Sequence, residues 1–253
     1  MNIHFSLLKS ALTPLVGCVI TFAVTSQSHA IAIYEAGAAV QIAVVEITNL
    51  TDPGSLDGLF FLGDTRILDN EAQEAGSASA SASGSGEPPS LDFVSEVIAA
   101  AAAAGSASRG SAQSLHAQAS DLVLNNSSLT DTYELTLGFA YILDIEPTVM
   151  NAVFEVALAD ALVSIFLDPL PNPIFSRRLT SETDLGGGPL FEQDIGEFII
   201  TLAPSELRIV TAVAVASGAA VAVSEPPVIG LIGFGLVVLV FSRRRKSSAS
   251  LAV

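Results

Sequence analysis

The chain has 253 residues, half of them hydrophobic, and a formal net charge of −16 at pH 7. This length allows one domain of ordinary size or two small ones, and the apolar content excludes an acidic disordered tail as a description of the whole chain. Ten Lys and Arg residues against 26 Asp and Glu cannot form a surface that follows a phosphate backbone, so nucleic acid is excluded as a partner.

Residues 1–30 have the pattern of a secretory signal peptide. Lys9 provides a short positive region, and a mostly apolar stretch follows over residues 11–24. Ser28 and Ala30 are the small side chains that the signal peptidase admits next to the cleaved bond. We therefore predict cleavage after Ala30.

Two other interpretations of this leader stay open. An uncleaved membrane helix is one, although Pro14 and the polar residues 26–29 argue against it. Lipidation of Cys18 is the other, because residues 15–18 fit a lipobox. A lipobox normally closes the apolar region, whereas here apolar residues continue to Val24.

The first predicted strand lies at residues 40–47. Apolar residues alternate from Val40 to Val44 and again from Val45 to Ile47, with a slip of one residue between the two runs. Such a slip predicts a β-bulge within one strand.

Acidic residues interleaved with glycines follow this strand. Their spacing does not match an EF-hand loop, so solvated loop residues are the main interpretation and a calcium site is the alternative. Calcium is the only cofactor that the sequence suggests, because one histidine and no cysteine in the mature chain cannot bind zinc. The acidic residues are Asp52, Asp57, Asp64, Asp69 and Glu71.

Residues 76–89 form a low-complexity segment. Only Gly, Ser and Ala occur from residue 76 to 86, and Glu87, Pro88 and Pro89 follow. This composition predicts a flexible surface loop. The part of the mature chain before it is too short to fold alone, so we place the loop within a single domain.

The next two segments are ambiguous. A helix capped by Ser90 and ending at Gly105 is one interpretation of the first; the other is a small-residue strand that turns at Gly105 and returns through His116. Residues 153–167 also have both helical and alternating spacing. Predicted strands on either side favour a strand in both cases.

The clearest periodicity lies at residues 132–145, where every second residue is apolar or aromatic, which predicts a half-buried strand. The turn signal at residues 125–128 makes residues 121–124 its predicted partner strand. Residues 198–202 and 209–215 are rich in β-branched side chains and are also predicted strands. The alternating residues are Tyr133, Leu135, Leu137, Phe139, Tyr141, Leu143 and Ile145.

Several strands separated by turns, without alternating helices, predict an all-β fold. We expect an antiparallel β-sandwich, Ig-like or jelly-roll-like, over residues 31–223. Between the predicted cleavage site and Glu225 the chain keeps all 26 acidic residues but only five arginines, so its net charge is −21. No lysine and no cysteine remain in this part, which excludes a disulfide within one chain.

Catalysis finds little support in the mature chain. His116 is its only histidine, and Ser114 and Asp121 are the nearby candidates for a nucleophile and an acid, but no nucleophile-elbow motif accompanies them. A single His in an Ala/Ser-rich segment is more typical of a partly exposed surface residue. The chain has no Trp, and Tyr133 and Tyr141 lie on the predicted buried face, which argues against an aromatic sugar-binding platform. We predict that the protein is not an enzyme.

The C-terminal part contains an apolar segment followed by a basic cluster. Residues 228–241 would form a helix of about 21 Å, shorter than the ~30 Å hydrocarbon core of a bilayer. A cluster of cations stays on the cytoplasmic side, so the rest of the chain is expected outside the inner membrane. The cluster consists of Arg243, Arg244, Arg245 and Lys246.

Ser224, Glu225 and Pro226, the apolar segment and the basic cluster together resemble the PEP-CTERM sorting signal of exosortase substrates. That family usually has proline at the position of Ser224, and residues 247–253 extend beyond the basic cluster. The resemblance covers residues 224–246 and implies recognition by a membrane-embedded, transpeptidase-like cysteine enzyme, with cleavage near Glu225 and Pro226. It also implies a link to extracellular polysaccharide and biofilm matrix.

The sequence therefore predicts a non-enzymatic structural protein of the cell envelope or biofilm matrix. Its expected partners are the export channel, an inner-membrane exosortase-type processing enzyme and extracellular polysaccharide. Three alternatives stay open: a calcium- or glycan-binding adhesion module with the same sorting signal, a secreted hydrolase that uses His116, and a single-pass membrane protein that keeps its tail.

Overall fold

The computed structural model describes residues 32–84, 96–150, 155–183 and 186–222. Strands make up most of these residues, as the sequence predicts. Within the described ranges the strands are β1 (Ala32–Asn49), β2 (Leu59–Gly84), β3 (Glu96–Asn126), β4 (Tyr133–Ile145), β5 (Thr148–Val149), β6 (Glu155–Leu167), β7 (Phe175–Glu182), β8 (Leu190–Leu202) and β9 (Leu207–Ala222).

All neighbouring strands are antiparallel and belong to one sheet. Its order is β7-β6-β9-β3-β1-β4-β8, while β2 pairs with β3 and the short β5 pairs with β1. The two end strands approach each other, because Arg177 Nε on β7 lies 3.7 Å from Glu192 Oε1 on β8. The sheet is therefore nearly closed.

The hairpin of β2 and β3 bends sharply near its middle. The strand register shifts between Ser77 and Ala78, and Gly76 and Gly110 both have positive φ, at 75° and 124°. A Cβ on Gly76 would overlap the carbonyl oxygen of Arg109, and one on Gly110 would overlap that of Ala75. Only glycine combines this backbone conformation with so close an approach of two strands.

The bend divides the sheet into two sides. The first half of β3 pairs with β1 and the second half pairs with β9. We call β1, β4 and β8 the β4 side, and β6, β7 and β9 the β9 side. Tyr34 on β1 packs against Gly105 and Gly218, where added Cβ atoms would overlap its ring, so the two sides are in contact through the interior.

The core lies between these two sides. Six of the seven alternating residues of β4 are buried, as predicted, and the seventh, Phe139, is half-buried. The ring of Phe139 lies 4.6 Å from that of Phe175 on β7, centroid to centroid, and Tyr141 lies 5.2 Å from the same ring. These aromatic contacts fill the space between the two end regions of the sheet.

Several local predictions are confirmed. β1 has its register shift between Val44 and Glu46, at the predicted bulge. The ambiguous residues 155–167 form β6, and residues 198–202 and 209–215 lie in β8 and β9.

Three local predictions are wrong. Residues 76–84 are the second half of β2 rather than part of a surface loop, and residues 85–89 lie outside the described ranges. β3 continues through Gly105 without a turn, because that glycine makes room for the ring of Tyr34. Residues 121–124 pair with β2 and β9, whereas β4 pairs with β1 and β8.

Candidate functional site

The predicted sorting and processing residues lie outside the described ranges. The described ranges hold no helix of the length and apolar character that a membrane crossing needs. The leader and the sorting signal therefore stay predictions from the sequence. The residues concerned are Cys18, Ser28, Ala30, Ser224, Glu225, Pro226, Arg243, Arg244, Arg245 and Lys246.

The acidic residues proposed for calcium are spread along a turn and a strand. Asp52 and Asp57 lie in the turn between β1 and β2, and the other three lie on β2. Among the residues that the structure describes, no group of three His, Cys, Asp or Glu side chains is placed to hold a metal ion.

His116 is buried rather than partly exposed, which corrects the prediction. Its side chain faces the interior with a relative exposure of 1%, and its Nδ1 lies 3.2 Å from Asn70 Oδ1. Nε2 has no hydrogen-bond partner among the described residues, and it lies against Gly84, where a Cβ would overlap it. Burial lowers the pKa of His116, and the charge of Asp69 acts in the opposite direction.

Ser114, His116 and Asp121 do not form a nucleophile, base and acid arrangement. The Ser114 hydroxyl lies 2.8 Å from the Tyr34 hydroxyl, and burial raises the pKa of Tyr34 to about 12. Asp121 is on the opposite face of β3, where Arg66 and Thr211 bind its carboxylate. A catalytic triad needs these three side chains on one side of the strand.

The inward polar residues of β3 instead bind the backbone of the same strand. Ser120 Oγ donates to the carbonyl oxygen of Ile98 at 2.6 Å, and Gln118 Oε1 accepts from the N–H of Ala100 at 3.3 Å. Those backbone groups lie beyond Gly84, the last residue of β2. The polar side chains thus satisfy buried backbone groups and hold the two halves of the bent hairpin together.

All three tyrosines are buried, which confirms the prediction for Tyr133 and Tyr141. The Tyr133 hydroxyl donates to the carbonyl oxygen of Asp57 at 2.8 Å, and the Tyr141 hydroxyl donates to Glu192 Oε1 at 2.6 Å. Burial raises the pKa of both phenols. None of these rings presents a face on which a sugar could stack.

The outward side of β3, β6 and β9 is unusually apolar for a surface. We call it the outer β9 face and define it as the outward residues of β6, of β9 and of residues 111–123 of β3. In an antiparallel sheet with one packed face, the other face is normally polar. Here most inward residues are small or aliphatic, and most outward ones are also aliphatic; the larger outward ones include Leu115, Leu158, Leu162, Val213, Val215 and Val221.

The only two carboxylates on the outer β9 face are each neutralised by an arginine. Asp160 has a relative exposure of 8%, and it accepts hydrogen bonds from Arg178 Nε at 2.7 Å and Nη2 at 3.1 Å, and one from Thr180. Asp121 binds Arg66 and accepts from Thr211 Oγ1 at 2.6 Å. Two of the five arginines that follow the predicted leader and precede the sorting signal therefore pair with carboxylates of this face.

The outward surface of strands β1, β4 and β8 differs in charge from the outer β9 face. We call it the outer β4 face and define it as the outward residues of β1, β4 and β8. Its five carboxylates have no arginine or lysine partner within the described ranges; they are Glu35, Glu46, Glu134, Asp144 and Glu197. Burial raises the pKa of Glu35, and the charges of Glu146 and Asp144 raise it further.

No protein-family model, curated protein or solved structure matches this chain. Function is therefore inferred from the residues and from the geometry described above.

The outer β9 face is the feature that sequence reasoning missed. A signal for it exists in residues 209–215, where neighbouring positions of both parities are apolar, a pattern typical of a strand covered on both faces. The alternation of β4 gave no such signal, because its second set of residues includes Glu134, Thr136 and Asp144.

Proposed function

We propose that this protein is an exported structural component of the cell envelope or biofilm matrix, processed at a C-terminal sorting signal and without catalytic activity. One observation carries the proposal: the succession of Ser224, Glu225 and Pro226, the short apolar segment at residues 228–241, and the terminal basic cluster. An apolar segment too short to span the bilayer comfortably is suited to temporary retention before cleavage.

The proposed mechanism is one of targeting. The signal peptide starts export and is removed after Ala30. The basic cluster stops transfer because cations remain on the cytoplasmic side. The apolar segment then holds Glu225 and Pro226 at the membrane, where an exosortase-type enzyme cleaves the chain.

The composition of the exported part supports this role. Its net charge of −21 favours solubility outside the cell and repels acidic polymers, except where divalent cations intervene. It needs no disulfide, because residues of every major strand contribute to one hydrophobic core.

We also propose that the nearly closed sheet is a β-sandwich, Ig-like or jelly-roll-like. The β4 and β9 sides would be its two layers, and the bent β2–β3 hairpin would cross from one to the other. The aromatic contact between Phe139 and Phe175 across the interior supports two facing layers.

A calcium- or glycan-binding adhesion module with the same sorting signal is the alternative. The burial of all three tyrosines weighs against a glycan site, and the acidic residues 52–71 do not converge on one point. Calorimetry of the exported protein with Ca²⁺ and with extracellular polysaccharide separates the two functions. A structural role predicts no heat of binding, whereas saturable heat with either ligand would favour the adhesion module.

The sorting proposal is tested with adjacent prolines, of which only one belongs to the motif. In cells that carry an exosortase-type enzyme, Pro226→Ala should keep the chain in the membrane fraction with its basic cluster, while Pro227→Ala should be released like the wild type. Ser224→Pro restores the usual motif and should increase the released fraction. Equal release of all variants, or retention of the wild type in the membrane, would disprove processing at this motif.

A further inference from the structure

We propose that the outer β9 face is an interface through which two copies of this chain associate about a two-fold axis. The inference rests on the described strands alone and does not depend on the proposed export or sorting. Strand register places Leu162 beside Val215 and Leu158 beside Ala219, so the aliphatic side chains form a continuous surface.

The extent of the face is sufficient for a dimer. Three strands about 4.8 Å apart and about eleven residues long cover roughly 14 Å by 36 Å, or ~500 Å². Two copies would therefore bury ~1,000 Å² in total, which reaches the lower limit for a specific protein–protein interface. An apolar patch of ~500 Å² is often a functional surface on a soluble protein.

Charge selects this face for contact between copies. Two chains that each carry a formal net charge of −16 repel one another wherever unpaired carboxylates face each other. On the outer β9 face Asp160 and Asp121 are already paired with Arg178 and Arg66, so a second copy meets no uncompensated charge there. The outer β4 face has unpaired carboxylates and would repel its own copy.

The chemistry of the face also argues for a second copy over other partners. Sugar binding uses exposed aromatic rings and free polar groups, whereas the centre of this face is made of Leu, Val, Ala and Ser. An anionic lipid surface attracts free cations, whereas both arginines of the face are bound to Asp side chains. A neutral, aliphatic face is complementary in charge to a second copy of itself.

Cysteine cross-linking in intact cells tests the interface on the full chain. In a Cys18→Ser background, which removes the only cysteine, Ser217→Cys places a thiol near the centre of the outer β9 face. Thr136→Cys is the matched control, a half-buried hydroxyl residue on the outer β4 face. With a short thiol-reactive cross-linker, Ser217→Cys should give a homodimer at least ten times more efficiently than Thr136→Cys.

A second pair of variants tests the same face without a chemical cross-linker. Val215→Asp adds a negative charge to the outer β9 face, and Ile199→Asp adds one to the outer β4 face. Light scattering then measures the molar mass of each variant and of the wild type at the same concentration. The wild type and Ile199→Asp should be dimers, and Val215→Asp a monomer with an unchanged circular dichroism spectrum. A monomeric wild type, equal cross-linking of both cysteines, or cross-links from Ser217→Cys to other proteins only would overturn the proposal, whatever the outcome for sorting.

Discussion

The two outer faces of this sheet differ in how their carboxylates are paired. On the outer β9 face each carboxylate has an arginine partner, and most side chains around it are aliphatic. On the outer β4 face the carboxylates are unpaired, and burial and neighbouring charge raise the pKa of Glu35. The chain has few cations, and two of them, Arg66 and Arg178, pair with the carboxylates of the outer β9 face. This pairing is the basis for proposing that face as the contact surface.

The largest expected effect comes from the bend that separates the two faces. Gly110→Ala should lower the free energy of unfolding by about 3–4 kcal/mol, because alanine is strained at a φ of 124° and its Cβ overlaps the carbonyl oxygen of Ala75. Chemical denaturation of the exported protein measures this loss.

Two other glycines separate the causes of that loss. Gly54 has a φ of 106° in open space, so Gly54→Ala should cost about 1 kcal/mol from strain alone. Gly188 has neither feature, and Gly188→Ala should change stability by less than about 0.5 kcal/mol. Equal losses for all three variants would show that the bend is not set by Gly110.

Neighbouring arginines on β7 sharpen the comparison of charge. Arg178→Gln should cost about 2–3 kcal/mol, because it leaves the buried carboxylate of Asp160 without its bidentate partner. Arg177→Gln should cost less than about 0.5 kcal/mol, because Arg177 is exposed and lies 3.7 Å from Glu192. Denaturation curves of both variants provide the test, and a larger loss for Arg177→Gln would contradict the assignment.

His116 lies in the interior between the two faces and predicts a pH dependence. Its pKa is lowered in the folded protein, whereas the unfolded chain keeps a value near 6.5, so protons favour the unfolded state. Above about pH 6.5 His116 is neutral in both states and the protein keeps its full stability. As the pH falls below that value, the unfolded chain binds the proton more readily and stability is lost. Between pH 6.5 and 5.5, the wild type should lose stability more steeply than His116→Gln, by up to ~1.4 kcal/mol per pH unit.

The smallest effect is expected on the outer β4 face. The pKa of Glu35 is raised in the folded state, so its contribution is favourable below the unfolded value near 4.5 and is lost as the pH rises through the folded value. Glu35→Gln removes this loss and should stabilise the protein at pH 7 by up to ~0.5 kcal/mol. At pH 4 the gain should vanish, and a destabilised variant at pH 7 would contradict the cause given for the shift.

The sequence predicts the elements that are half-buried, because burial on one face imposes alternation. β4 and the bulge of β1 follow from that rule directly. The second half of β2 does not, because its Ser and Ala residues look like a linker when local composition is considered alone. Small side chains there allow the hairpin to bend and pack closely, which depends on partner residues on β3 that local composition does not reveal.

The candidate sites also divide into features that local alternation predicts and features that depend on residues of other strands. The burial of Tyr133 and Tyr141 follows from alternation, whereas the burial of His116 depends on Gly84 from the other half of the hairpin. The partners of Asp121 and Asp160 are on other strands, so local sequence does not reveal that the outer β9 face is neutral.

Native mass spectrometry of the protein collected from the culture medium tests both proposals at once, because one spectrum gives the chain mass and the assembly. We expect a particle of two chains, each beginning at Ile31 and ending close to Glu225. A chain that retains Arg243 to Lys246 would contradict processing at the sorting signal, and a single-chain particle at micromolar concentration would contradict the role of the outer β9 face.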